Sequence, residues 1–334
     1  MLVEDLETAY RQAARGLSVS LPPKTTSFQE WARRLTRHAG HAGSEALARE
    51  LDHWRETAQV SVPRLPVDFP SSGGDLTGDE DAVSFDLSAE ETRDLLQTVP
   101  STYHSRIDDA LLSALVRALS GWTGSPRLRI DLEGHGREPL SGDIGDVDDL
   151  DVSRTVGWFT SLYPVVLEAG DADPGDALVS VKERLRAVPG RGIGYGLLRY
   201  LGGAGEALGA APPAEILFNY LGQAGTASGE SSLFLASVTG TGPNRSLRGR
   251  RTHALSITGL VTDGRLRITW TYGSRTHRRE TAERLAAAYA GALRELIQHS
   301  RESEEEVFTP SDFAKARLDA RSFARVAALL ADSD

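Results

Sequence analysis

Apolar and charged side chains alternate along Leu128-Arg129-Ile130-Asp131-Leu132-Glu133. A period of two places the leucines and isoleucine on one face of a β-strand and the charged residues on the other. The same alternation predicts a strand at Val83-Phe85-Leu87, and Ser161–Leu167 also reads as a strand. It recurs at Leu266-Ile268-Trp270-Tyr272, and Asp263-Gly264 just before that run predicts a hairpin turn. Glu215–Leu221 is apolar on both alternations, with Asn219 interrupting it, and predicts a buried central strand.

Other stretches follow the helical period. Leu2, Leu6, Ala9, Tyr10 and Ala13 share one face of a helix over 2–15 that Gly16 ends. Ser27 and Glu30 form a capping-box pattern ahead of Phe28, Trp31, Leu35 and Ala39. A third helix over 44–59 carries Leu47, Leu51, Trp54 and Ala58. Ser88 with Glu91 starts a helix reaching about Thr98, and Leu111, Leu115 and Leu119 are in register over 108–120. Asp173-Pro174 opens a helix that stops before Pro189, and another spans 280–299. Pro63-Arg-Leu-Pro66 and the run Pro70–Asp81, rich in Ser, Gly and Asp, read as a linker. The resulting division is a helical part with its linker over 1–78, an α/β part over 79–300, and an exit segment over 301–334 with a short helix around Phe323–Leu330.

Composition narrows the function classes. At 334 residues, 40% hydrophobic and 25% charged, the chain has the make-up of a soluble globular protein able to bury a large core. No apolar run approaches the roughly 20 residues of a membrane span, and the acidic start Met1-Leu2-Val3-Glu4-Asp5 lacks the basic region of a secretory signal. The address this implies is cytoplasmic. Cysteine is absent, which excludes disulfides, thiol nucleophiles and cysteine-bound metals. A net charge of −10 argues against nucleic acid as a partner, the arginines of 244–251 and 275–279 being local exceptions.

Candidate chemistry concentrates in Glu133-Gly-His-Gly-Arg-Glu138 at the end of the alternating strand. If the extended backbone continues past Gly134, His135 projects on the same face as Glu133, and Gly134 and Gly136 leave room for a ligand to approach. That suits a general acid/base carboxylate beside a hydrogen-bonding imidazole. A glycine-rich turn whose Glu and Arg pair with each other fits the same residues. His135 has no second histidine at metal-ligand spacing, and no Gly-x-Ser-x-Gly elbow occurs. The Gly190, Gly192, Gly194, Gly196 series lacks the Lys-Ser/Thr of a phosphate loop and the spacing of a dinucleotide fingerprint.

Five motifs occur in order over 108–222: Asp108-Asp-Ala-Leu-Leu112, Glu133-Gly-His-Gly-Arg-Glu138, Arg154-Thr-Val-Gly-Trp-Phe-Thr160 with Tyr163-Pro164, Pro189-Gly-Arg-Gly-Ile-Gly-Tyr-Gly196 and Phe218-Asn-Tyr-Leu-Gly222. Their series resembles that of epimerization domains of nonribosomal peptide synthetases, members of the condensation-domain superfamily. The flanking stretches around Phe28–Leu35 and Thr309-Pro-Ser-Asp-Phe313 are similar too.

The resemblance implies a mixed α/β fold of two lobes like chloramphenicol acetyltransferase. A carrier protein delivers an aminoacyl or peptidyl thioester on its 4′-phosphopantetheine arm, so the chain itself binds no cofactor or metal. The reaction inverts the α-carbon from L to D. Glu133 is implied as one acid/base group, with His135 and Tyr220 as further catalytic candidates. Asn219, Trp158, Phe159, Thr160, Arg137, Gly194 and Tyr195 are implied as groove residues. Asn219 and Tyr220, as successive strand residues, are expected to face opposite ways, with Tyr220 the one in the groove. Trp158 and Phe159 read equally as groove walls or as core aromatics.

One family hallmark is missing. Epimerization domains carry a His-His-x-x-x-Asp-Gly motif ahead of the helix that here begins at residue 1, and no adjacent histidine pair occurs in this sequence. The expectation is an epimerization domain without the first part of its N-terminal lobe, inactive or weakly active alone. The alternatives are a non-catalytic fragment that binds a carrier protein or complements an upstream lobe, and a condensation-type acyltransferase relative.

Overall fold

The computed structural model describes residues 1–40, 45–70, 75–137, 150–169, 173–223, 233, 242, 245–303 and 305–316. Its centre is one six-stranded mixed sheet, formed by β1 (Glu80–Asp86), β2 (Arg127–Gly134), β3 (Ser161–Glu168), β4 (Ile216–Gln223), β5 (Leu255–Thr262) and β6 (Arg265–Gly273) in the order β1-β6-β5-β4-β2-β3. The β2–β4 and β4–β5 pairs are parallel and the other three antiparallel.

The alternating apolar sets form a single buried face. Leu132 pairs with Phe218, Ile257 with Trp270 and Ile268 with Phe85, so the register carries one apolar surface across the sheet. Ile130, Leu266, Ile268 and Trp270 are fully buried on it. Four helices pack on this face, α4 (Ala89–Leu96), α6 (Ile107–Thr123), α7 (Pro174–Arg186) and α10 (Arg279–Glu302), with α5 (Thr98–Tyr103) packed against α4, α7 and α10. In α6, Leu111, Leu115 and Leu119 are completely buried, each contributing about 1.5–3 kcal/mol of transfer free energy. The predicted caps form as hydrogen bonds. Ser88 and Glu91 make a reciprocal capping box, and Asp173 accepts from the Gly175 N–H at 2.8 Å ahead of Pro174. Asp263 and Gly264 both adopt positive φ, as a two-residue turn between twisted strands requires.

β4 is central but not buried on both sides. Ile216 and Phe218 are buried, whereas Leu217 and Asn219 are half-buried and Leu221 is exposed. Among the described residues, no helix row packs on the second face of β4.

The remaining helices lie at the β3 edge. α3 (Glu45–Gln59) packs against α8 (Ile193–Tyr200) and β3, with α2 (Phe28–Gly40) on α8 and α9 (Gly205–Gly209) beside α3. α1 (Leu2–Ala14) has no buried residue. The stretch read as a linker is tied down on both sides of 71–74. The Asp68 and Phe69 N–H groups donate to Thr276, and Leu76 bridges Arg250. The short helix expected at Phe323–Leu330 lies outside the described residues. No helix among them is long and apolar enough to cross a membrane.

Trp54 of α3 is buried against Tyr195 and donates through Nε1 to Glu50 at 3.4 Å. Burial pushes the Glu50 carboxyl up to about 7, with the Trp54 bond opposing the shift. The folded chain thus keeps a proton that the unfolded chain releases, so stability falls as pH rises from about 4.5 to about 7 and is flat above. Glu50→Gln keeps the acceptor without the charge. It is expected to remove this slope and to stabilise the protein at pH 8 by up to about 3 kcal/mol, read from urea unfolding at both ends of the window.

Candidate functional site

The end of β2, the start of β3 and β4 meet the first turn of α6 and the last turn of α7 around a cleft of about 660 Å³. Glu133 opens into it half-buried, its backbone held opposite Leu162 by the β2–β3 ladder. His135 lies exposed on the same cleft and accepts the Arg137 backbone N–H on Nδ1 at 3.0 Å. An acceptor at Nδ1 leaves Nε2 to carry the proton of a neutral imidazole.

The glycines of this motif serve the protein's own packing. A Cβ on Gly134 falls 2.7 Å from Ser161 Oγ, and one on Gly136 falls 1.6 Å from the Phe159 carbonyl oxygen, where φ is +65°. The room they leave, expected to admit a ligand, is filled by the returning chain. Arg137 likewise stays out of the cleft. Its guanidinium donates to the Val152 and Thr155 carbonyls, the latter at 2.9 Å, and lies 3.9 Å over the Phe159 ring. A Glu133–Arg137 ion pair is therefore not what the turn is built on, and Glu138 lies outside the described residues.

The two aromatics before β3 divide. Trp158 is 81% exposed and lines the cleft with Thr160. Phe159 is buried between Phe28 and Trp31, with ring centroids at 5.2 and 4.8 Å, and is a core aromatic. Gly194 and Tyr195, expected in the groove, also belong elsewhere. A Cβ on Gly194 falls 2.0 Å from Glu50 Oε1, so this glycine lets α8 close on α3. Tyr195 accepts from Arg199 at 2.9 Å and borders a separate hollow of about 290 Å³.

Asn219 and Tyr220 both line the cleft, against the expectation that only one does. Their side chains do alternate: Tyr220 follows Phe218 on the helix-covered face, and Asn219 lies on the face of Glu133. The cleft, however, runs around the end of the sheet and meets both. The ladder becomes irregular between Tyr220 and Gln223, with Gly222 at φ +81°. Burial, with the Asp108 carboxylate behind it, pushes the Tyr220 hydroxyl up to about 12. Tyr220 is therefore a protonated donor at neutral pH.

The charged wall opposite was not among the expected site residues. Asp109 is buried at the start of α6 and accepts both the Arg106 backbone N–H at 2.6 Å and a bidentate fork from Arg186 at 2.9 and 2.6 Å. Burial, then repulsion from Asp109, raises the neighbouring Asp108 carboxyl. Arg106, Arg186 and Arg191 all line the cleft. The signal available in the sequence was Asp109 three residues after Arg106, a spacing that lets an acidic side chain cap the backbone N–H at a helix start. Arg186 and Arg191 reach it only through the tertiary fold.

Residues 1–318 match the condensation domain family. The chain is 40% identical over 317 residues to bacitracin synthase 3 of Bacillus licheniformis, covering 94% of the chain and 5% of that protein. It is 37% identical over 319 residues to surfactin synthase subunit 2 of Bacillus subtilis (strain 168), covering 96% and 8%. The chain thus spans less than a tenth of either synthetase. Among solved structures, the epimerization domain from the third module of tyrocidine synthetase B superposes with a TM-score of 0.81 at 36% identity, covering 91% of this chain and 66% of that one. The X-domain from teicoplanin biosynthesis superposes at 0.59 with 16% identity, covering 90% and 65%, a likeness of fold alone.

Proposed function

Because the chain belongs to the condensation-domain family of nonribosomal peptide synthetases, we propose that it supplies one half of an amino-acid epimerization site. The observation that carries this reading is Glu133, in its Glu-Gly-His-Gly-Arg-Glu motif, opening into one cleft with the protonated Tyr220. The substrate is an aminoacyl or peptidyl thioester on the 4′-phosphopantetheine arm of a carrier protein. Inversion requires a base to remove the α-proton and an acid on the opposite face to return one. Glu133 serves as one of the two. Tyr220 or Asn219 donates a hydrogen bond to the thioester oxygen as it gains enolate charge. The exposed Trp158 and Thr160 form the wall against which the acyl chain lies. The resemblance implies a histidine of a His-His motif as the second proton-transfer group, and this sequence holds no adjacent histidine pair.

That same absence favours, as second reading, a fragment that binds the loaded carrier without catalysing exchange. A condensation-type acyltransferase is the third, and it is disfavoured by the Glu133 motif.

Incubation with an aminoacyl-loaded carrier protein in heavy water separates the three. The chain alone is expected to give no α-deuterium above buffer. Adding an N-terminal half that bears the His-His motif is expected to restore incorporation and shift the D/L ratio. Rapid equilibration by the chain alone overturns the need for that half. Binding without exchange in both mixtures assigns the scaffold role. Peptide-bond formation between two loaded carriers assigns condensation.

A further inference from the structure

The cationic wall of the cleft carries more charge than its internal pairing uses. Arg186 is neutralised by the bidentate Asp109 fork. Asp109 is thereby occupied, and Asp108, exposed on the same turn, makes no hydrogen bond or ion pair with Arg106 or Arg191 among the described residues. Arg106 and Arg191 have no hydrogen bond or ion pair to their guanidinium groups among the described residues, yet both line the cleft of Glu133. The cations also press on one another. Arg106 is held below the usual arginine range first by burial and then by Arg186 and Arg191.

Arg191 is held where it is at a conformational cost. Gly190, Arg191 and Gly192 have φ of +51°, +52° and +83°, three successive residues in the left-handed region. A non-glycine residue is disfavoured there, because its Cβ crowds the following carbonyl oxygen. The turn is pinned, because a Cβ on Gly192 would fall 2.1 Å from the Tyr163 ring. Exposed as it is, Arg191 gains no packing to offset the strain. Strain kept at an exposed cation beside a cleft points to a ligand.

We propose that Arg106 and Arg191 form a phosphate-recognition subsite, which grips the phosphodiester of the 4′-phosphopantetheine arm while its thioester end lies toward Glu133. The inference rests on the reading that the substrate arrives on such an arm. Two planar guanidinium forks suit a phosphodiester, whose oxygens accept paired N–H donors. They approach it from separate elements, the start of α6 and the turn before α8, so a phosphate between them also ties these elements together.

The test is affinity of the intact chain for free 4′-phosphopantetheine, for pantetheine, which lacks the phosphate, and for inorganic phosphate, by titration calorimetry. The phosphorylated compound is expected to bind at least about tenfold tighter than pantetheine, the worth of one charge-assisted contact. Arg191→Gln and Arg106→Gln should each erode that ratio while leaving pantetheine affinity unchanged. Arg191→Gly relieves the strained φ, so it should fold at least as stably and still lose the discrimination. Equal binding of the two compounds overturns the subsite and leaves the epimerization reading intact. Inorganic phosphate binding with no advantage for phosphopantetheine assigns a free-anion site and overturns it as well. Failure to bind either arm compound or a loaded carrier sinks the broader reading instead.

Discussion

Glu133→Gln is expected to reduce α-proton exchange, in the complemented assay with a His-His-bearing half, by on the order of 10²–10⁴-fold. The substitution is isosteric and sits where the backbone decides the geometry. Glu133 faces Leu162 in the ladder, with Gly134 beyond it held against Ser161, so the amide should occupy the place of the carboxylate. What is lost is the capacity to take and return a proton. Affinity for the loaded carrier should be unchanged, which separates this outcome from a folding defect or a lost contact. His135→Asn is the useful companion. Its imidazole is placed by the Arg137 N–H, and a smaller loss there would mark it as a hydrogen bonder rather than a second base. Exchange at near the parental rate by the Gln variant would remove Glu133 from the chemistry altogether.

Asp312→Ala is expected to cost about 3–5 kcal/mol of folding stability. Lys182, inside α7, is fully buried, and its Nζ donates to Asp312 Oδ2 at 2.6 Å and to the Tyr103 carbonyl at 2.8 Å. Asp312 also accepts the Thr309 N–H at 2.8 Å and the Thr309 hydroxyl at 3.1 Å. Burial raises its carboxyl, but the Lys182 ion pair and the Thr309 bonds outweigh this and leave it below the ordinary value. Removing the carboxylate strands an ammonium in the interior with a single carbonyl. Restoring an apolar interior by Lys182→Met in the same chain should recover much of the loss, since the charge is then gone as well. Urea unfolding of the two single variants and the double variant measures this directly. If Asp312→Ala unfolds like the parent, the pair carries no stability.

Most of the sheet was legible because each strand buries one face only, and a period of two is unambiguous where polar residues fill the gaps. Caps were legible for a similar reason, since Ser88 with Glu91 and Asp173 with Pro174 act within one turn. α8 was not, because Gly194 and Gly196 inside it each weaken helix propensity by about 1 kcal/mol, and Gly190 and Gly192 crowd its start. Those glycines answer to neighbours distant in sequence, Tyr163 at Gly192 and Glu50 at Gly194. The site was half legible. Glu133, His135, Asn219, Tyr220, Trp158 and Thr160 meet in one cleft, while Phe159, Arg137, Gly194 and Tyr195 support it from behind or lie apart. Motif membership records that a residue matters, not whether it touches the cleft or holds up what does. The arginine wall was illegible because its members come from three elements that only packing brings together.

The strand order has a consequence for how the chain folds as it is made. β1, the earliest of the described strands in the sequence, pairs among them only with β6, Glu80 standing opposite Gly273. The β2–β3 pairing is available early, but β4 and β5 join in parallel and need long crossovers. Until β6 emerges from the ribosome, β1 remains an unpaired edge with Val83 and Phe85 uncovered. Closure of such distant pairings is slow, and the open edge invites association with other chains. Expression halted before residue 273 should therefore yield aggregate rather than a smaller folded domain, which places the commitment to fold after β6 has been made.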